Sequence, residues 1–200
     1  MEYLSLLPVA MAAYLIGSIP MGVLLAKVFG WPDPRTHGSG HTGAMNVSRK
    51  GGRVALAVVL IADWLKGSAA ALAAPLISSS VWAIPVAGVM VIVGHCYPVW
   101  LKFNGGMGLA AGMGAVMTQS WLMVVLATAT LGIMRFFIIK HTPRATIIAA
   151  LCLPVYALLL QLPLPLFVMV TGVSVFIALR HIVDWNREYP KVEASPDSSG

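Results

Sequence analysis

Long apolar runs leave this chain few ways to fold. Seven stretches, 4–29, 54–76, 81–101, 108–117, 121–139, 145–160 and 164–179, are strongly apolar and nearly free of charge. A helix needs about 20 mostly apolar residues to cross a bilayer core of roughly 30 Å. A backbone in that medium must also satisfy its own hydrogen bonds. The expected fold is therefore an all-α polytopic membrane protein with seven transmembrane helices. The stretch 108–117 is short, and it crosses only if the span begins inside the glycine-rich segment before it. Residues 1–191 are expected to form a single membrane-embedded domain, followed by a polar, serine-rich tail at 192–200 that is expected to be disordered. The first run begins at Leu4 with no basic residue before it and has no small-residue exit, so it reads as a span rather than a cleaved leader.

Charge orients the spans. Only 10% of the 200 residues are charged, against about 25% in soluble domains, and 58% are hydrophobic. A net charge of +6 in a soluble protein would point to nucleic acid. Here no nucleic-acid partner is expected, because cytoplasmic loops of membrane proteins collect Lys and Arg. The connections 77–80, 118–120 and 161–163 carry no charge. The others carry Arg35, Arg49, Lys50, Arg53, Lys102, Lys140 and Arg144, then Arg180, Arg187 and Lys191. With seven spans all of these fall on one side, which makes that side cytoplasmic, with the N-terminus outside and the C-terminus cytoplasmic. Cys96 and Cys152 lie in apolar runs and read as buried free thiols.

Three segments on the charged side hold the polar residues that hydropathy does not explain. The first is the connection 30–52, with Gly38, Ser39, Gly40, His41, Gly43, Asn46 and Arg49. Closely spaced glycines let successive backbone N–H groups turn toward one anion, and Arg offers a planar fork to phosphate; an ordinary flexible basic loop is the plainer reading. The second is Asp63, Lys66 and Gly67, about ten residues into a span. Charges at that depth are costly and are kept for function or for mutual pairing, and the i, i+3 spacing lets these two face each other. The third is His95, at the end of a span, with Lys102, Gly105, Gly106 and Gly108 after it. A glycine turn opening a helix favours an anion, although a lone His there is commonly structural. Arg180, His181, Asp184, Asn186 and Arg187 leave the last span together, where basic residues ordinarily meet lipid headgroups; the same holds for Arg135 and Lys140.

In this order, the three segments resemble the motifs of the bacterial acyl-phosphate:glycerol-3-phosphate acyltransferases of the PlsY type. The resemblance runs from Gly17-Ser18-Ile19-Pro20 to Arg180-His181. The family pattern G-S-G-N-x-G-A-T-N-x-x-R is matched at Gly38, Ser39, Gly40, Gly43, Ala44, Asn46 and Arg49, with His41 in place of Asn and Met45 in place of Thr. D-x-x-K-G is intact at Asp63, Lys66 and Gly67. G-H-x-x-P followed by F-K-G-G-K-G is matched at Gly94, His95, Pro98, Phe103, Gly105, Gly106 and Gly108, but Asn104 and Met107 replace both lysines. H-x-x-N-x-x-R keeps His181 and Arg187, with Asp184 in place of Asn. A serine of the family pattern is not evident around 142–146.

The resemblance implies transfer of a fatty acyl group from acyl-phosphate to the sn-1 hydroxyl of glycerol 3-phosphate, giving lysophosphatidic acid. It implies a monomer in the bacterial inner (plasma) membrane, acting at the cytoplasmic face among membrane lipids. The catalytic candidates are Ser39, Arg49, Lys66, His95 and His181. The substrate-binding candidates are Gly38, Gly40, Gly43, Asn46, Asp63, Gly67, Lys102, Gly105, Gly106, Gly108, Asp184 and Arg187. No metal, no cofactor and no acyl-enzyme are expected, since no nucleophilic triad or metal cluster is readable. Losing both lysines removes positive charge from a phosphate cradle, where one charge-assisted contact is worth roughly 1.5–3 kcal/mol. Two alternatives stay open. One is a non-catalytic or altered-substrate relative that binds a phospholipid or an anionic metabolite. The other is a small-anion transporter, which fits less well because the polar residues gather on one side and no internal repeat is visible.

Overall fold

The computed structural model describes residues 2–187; Lys191 and the tail 192–200 lie outside them. Among the described residues the regular elements are all helical. They are α1 (Leu6–Ser18), α2 (Met21–Phe29), α3 (Ala44–Ile77), α4 (Ala83–Cys96), α5 (Leu109–Met117), α6 (Trp121–Ile133), α7 (Thr142–Leu159) and α8 (Leu164–Ile182). Short 3-10 turns at Pro34–Thr36 and Val99–Leu101 and a π turn at Met134–Ile138 join them.

Among the described residues, six helical stretches are long and apolar enough to cross a membrane: Leu6–Phe29, Ala44–Ile77, Ala83–Leu101, Trp121–Ile138, Thr142–Leu159 and Leu164–Ile182.

 Helix α5 is not among them: nine residues rise only about 14 Å. The glycine-rich residues before it stay out of the helix. Those residues fold instead onto the end of α4, where Gly105 N–H bonds the Cys96 carbonyl and Gly106 N–H the His95 carbonyl, both at 3.1 Å. At the other end of α4, Gln119 and Ser120 line a pocket with Val81, Ile84 and Pro85. Residues 105–120 thus travel the length of α4, part extended and part helical. Non-helical backbone is tolerated at such depth when protein surrounds it.

Three other elements depart from the hydropathy reading. The first run is broken between α1 and α2, at Ile19 and Pro20. Pro20 has no N–H to donate into a helix, and Val23 N–H turns to the Pro20 carbonyl. Helix α3 starts ten residues before the expected position 54, inside the polar connection, and kinks at Gly52 (φ 75°, ψ −168°). Hydropathy could not mark this start, because 44–53 is polar. Helix α8 runs on to Ile182, so Arg180 and His181 sit on its last turn.

Glycines set the helix crossings. A β-carbon on Gly17 would collide with the Val91 carbonyl, and one on Gly94 with that of Tyr14, which fixes α1 against α4. Gly67 meets the Ala111 carbonyl and Gly114 that of Trp64, which fixes α3 against α5. Lipid gives no hydrophobic drive for helix association, so close backbone approach has to supply the packing. Large apolar side chains such as Leu72, Leu76, Phe137 and Leu159 face outward, as suits a surface solvated by acyl chains.

Gly67→Ala is therefore expected to lower stability by about 1–3 kcal/mol, through forced separation of α3 and α5. Gly132→Ala, where nothing lies within 4 Å of the new methyl group, should be neutral or mildly stabilising. Thermal unfolding of the two variants in detergent checks the contrast.

Candidate active site at the charged end of the bundle

The break between α1 and α2 opens a small polar pocket. Ser18, Ile19 and Pro20 line it with Gly22, Thr42, Asp63, Lys66, His95 and Pro98. Lys66 Nζ lies 3.0 Å from Asp63 Oδ1 and donates to the Ile19 carbonyl at 2.9 Å. The i, i+3 pairing expected from spacing is present, and both side chains are only 3% exposed. His95 Nδ1 approaches the same Asp63 oxygen at 3.4 Å, outside hydrogen-bonding geometry. One carboxylate thus holds an ammonium from its own helix and an imidazole from α4. The buried Ser18 hydroxyl has no hydrogen-bond partner among the described residues. Sequence reading used Ser18 for the resemblance and missed it as a site residue.

The glycine loop is built around Asn46. Its amide nitrogen donates toward the carbonyls of Pro34 (2.6 Å), His41 (2.9 Å) and His37 (3.1 Å), and its Oδ1 accepts from Ser39 N–H at 2.9 Å. Asn46 is 3% exposed, so its bonding capacity goes into shaping the loop. Gly38 and Gly40 take left-handed conformations there, at φ 57° and 74°. A side chain on Gly38 would strike Asn46 and Arg49, which places the half-buried Arg49 against the loop. Gly22 receives the Thr42 carbonyl and docks the loop on α2. Ser39 Oγ accepts the backbone N–H of His41 at 3.3 Å.

The turn after α4 is clamped from two sides. Gly106 sits against the His95 ring, and Gly108 (φ 84°) packs near Ile92 and Cys96 at the start of α5. Arg180 donates Nε to the Gly106 carbonyl at 3.1 Å and an η nitrogen to the Gly105 carbonyl at 3.3 Å, with its guanidinium over the Tyr97 ring. Arg180 was read from sequence as a lipid-facing residue, and the structure gives it this clamping role instead. Only the tertiary fold brings 180 beside 105, so the sequence marked Arg180 as the end of the resemblance and not as a clamp. Lys102 is exposed, and its ammonium has no partner among the described residues; the fold does not bring it to the pocket.

The end of α8 closes the site. His181 Nδ1 bonds the Ile177 carbonyl at 2.8 Å, and because a carbonyl only accepts, Nδ1 carries the proton and Nε2 the lone pair. Asp184, 1% exposed, meets His41 Nε2 at 2.8 Å and Arg187 at 3.4 Å. Burial pushes the His41 imidazole below its usual range, against the pull of the Asp184 carboxylate. From the start of α7, His141 bonds the Arg187 carbonyl, and Arg144 bonds the Trp185 carbonyl and the Asn186 side chain. Among the described residues no three of His, Cys, Asp and Glu converge to hold a metal ion.

A family model for glycerol-3-phosphate acyltransferase matches residues 7–189. The chain belongs to this family. It is 39% identical over 150 residues to the glycerol-3-phosphate acyltransferase of Dechloromonas aromatica (strain RCB), covering 75% of each chain. It is 37% identical over 175 residues to that of Methylobacillus flagellatus, covering 85% of this chain and 86% of the relative. The crystal structure of PlsY, an integral membrane glycerol 3-phosphate acyltransferase, in its glycerol 3-phosphate form superposes with a TM-score of 0.80 at 31% identity, covering 92% and 91% of the two chains. The lysophosphatidic acid form gives 0.78. The family read from the motifs is the family found.

Asn46→Ala should cost roughly 2–4 kcal/mol, because it removes several buried hydrogen bonds and leaves the Ser39 N–H without its acceptor. Faster amide exchange confined to 37–43 is the expected signature; unchanged exchange there would show that the loop is held by other contacts.

Proposed function

We propose that this chain transfers an acyl group from acyl-phosphate to the sn-1 hydroxyl of glycerol 3-phosphate, giving lysophosphatidic acid. The observation that carries the reading is the convergence of a buried ammonium, two glycine-built turns and the α8 histidine at one end of the bundle. Acyl-phosphate already carries a good leaving group. The protein therefore has to position the acceptor hydroxyl at the acyl carbon and stabilise the developing oxyanion and the departing phosphate. Arg49, Lys66 and the glycine turns take the phosphates. Lys66 suits this because Asp63 and the Ile19 carbonyl fix its ammonium in place. His181 Nε2, left as an acceptor by the Nδ1 bond, takes the hydroxyl proton toward the leaving phosphate. Ser39 Oγ bonds backbone rather than an imidazole, which supports direct transfer without an acyl-enzyme.

The acyl chain lies in the apolar cleft between α5, α6, α7 and α8, lined by Leu109, Met113, Val124, Ala150, Leu153 and Ile177. Ile177 is shared with the His181 contact, so the cleft leads from the chemistry into the bundle. The chain crosses the membrane seven times, counting 105–120 beside α4, with its N-terminus outside. The charged connections and the site then face the cytoplasm of a bacterial inner membrane. It acts as one membrane domain and as a monomer.

Purified protein with palmitoyl-phosphate and labelled glycerol 3-phosphate is expected to give lysophosphatidic acid. Lys66→Ala and Arg49→Ala should each lower kcat/KM by at least about 100-fold, as loss of about 3 kcal/mol of transition-state binding implies. Asn104→Lys with Met107→Lys should raise it. Product from the double-lysine variant alone would show that the chain has left this reaction and binds another anionic or lipid ligand.

A further inference from the structure

We infer that His41 and Asp184 form a proton-accepting pair that couples binding of a phosphate monoester at the glycine loop to uptake of a proton on His41. This rests on the phosphate-binding role proposed above. The two residues are 143 positions apart in sequence, yet His41 Nε2 meets Asp184 Oδ2 at 2.8 Å. Both depart from the family pattern, which has Asn at each position, and the structure joins the two departures in one contact. The side chain of Asp184 is 1% exposed and that of His41 14%. Asp184 therefore adds a poorly solvated negative charge at the edge of the loop that has to receive a phosphate.

A phosphate dianion entering there meets that carboxylate. A neutral His41 leaves the pair at −1, and a protonated His41 brings it to zero. The other groups that act on the imidazole are Arg180 and His181 on the last turn of α8 and Arg187 beyond it; within the loop its backbone N–H meets the Ser39 hydroxyl. Arg180 is committed to the Gly105 and Gly106 carbonyls, and Arg187 lies on Asp184, so His41 is the adjustable charge. Its side chain keeps a small exposed share, and Nδ1 has no hydrogen-bond partner among the described residues, so it can donate to a ligand once protonated.

The sign follows from linkage. Burial holds the empty-site imidazole below its ordinary range. A bound dianion favours the imidazolium and raises that value. The bound state then holds more protons, so affinity is greatest at low pH and falls as pH rises through the bound-state pKa of His41.

The experiment is glycerol 3-phosphate binding by calorimetry at several pH values, in buffers of different ionisation enthalpy, for the wild type and H41N/D184N. The variant keeps two side chains able to hydrogen-bond across the same gap without the charge. The ligand's own ionisation is common to both proteins. Wild-type affinity should fall about tenfold more than that of the variant between about pH 6 and 8, as one linked proton implies. The wild type should also take up more protons per ligand. In parallel, 15N-histidine spectra of the wild type alone should show one of the five histidines turning cationic on adding ligand near neutral pH, a result that does not require the variant to fold. Superimposable pH profiles, or histidines unmoved by bound ligand, would overturn the pair's role and leave the phosphate reading standing. No binding by either protein would overturn both.

Discussion

A lysine ammonium held almost without solvent inside an apolar bundle dictates most of what surrounds it. Such a charge is stable only when it is paired and hydrogen-bonded. Asp63 supplies the pairing from one turn away, and the Ile19 carbonyl supplies the bond from another helix. That carbonyl is available because the first span is broken at Pro20. The break, the buried pair and the pocket between them are one feature. Removing Lys66 would strand a buried carboxylate, and closing the break would remove the ammonium's acceptor.

The remaining parts of the site are held in place by groups that need not touch a ligand. Asn46 spends its amide on the glycine loop, and Arg180 spends its guanidinium on the turn after α4. Polar side chains at such positions prepare backbone N–H groups in advance, which is how a site built from glycines keeps a defined shape. Glycine matters here for close approach as much as for conformation: Gly106 admits the His95 ring, and Gly67 lets α3 reach α5.

The departures from the family pattern fall into two kinds. Asn104 and Met107 subtract charge from the turn after α4, and Asn104 spends its amide on the neighbouring Lys102 carbonyl. Asp184 adds a negative charge, and it adds it in contact with His41, so the charge of the pair depends on whether the imidazole is protonated. Read singly along the chain, Asn104, Met107 and Asp184 weaken a site for anions. In three dimensions, Asp184 meets His41 in one contact.

Hydropathy alone determined the helical membrane class: lipid admits only helices and closed barrels, and continuous apolar runs of about 20 residues suit a helix and not the short alternating strands of a barrel. It also placed most of the spans, and the order and spacing of the motifs determined the family. The i, i+3 meeting of Asp63 and Lys66 was legible for a local reason, since helix geometry fixes it. What sequence left undecided depended on distant residues or on polar segments. The start of α3 at Ala44 lies in a stretch where hydropathy is silent. The confinement of α5 to nine residues depends on its glycine turn folding onto α4. Arg180 reads as a lipid-facing cation until the fold puts it beside Gly105. The pairing of His41 with Asp184 spans nearly the whole chain, and only the packing of α8 against the glycine loop brings the two together.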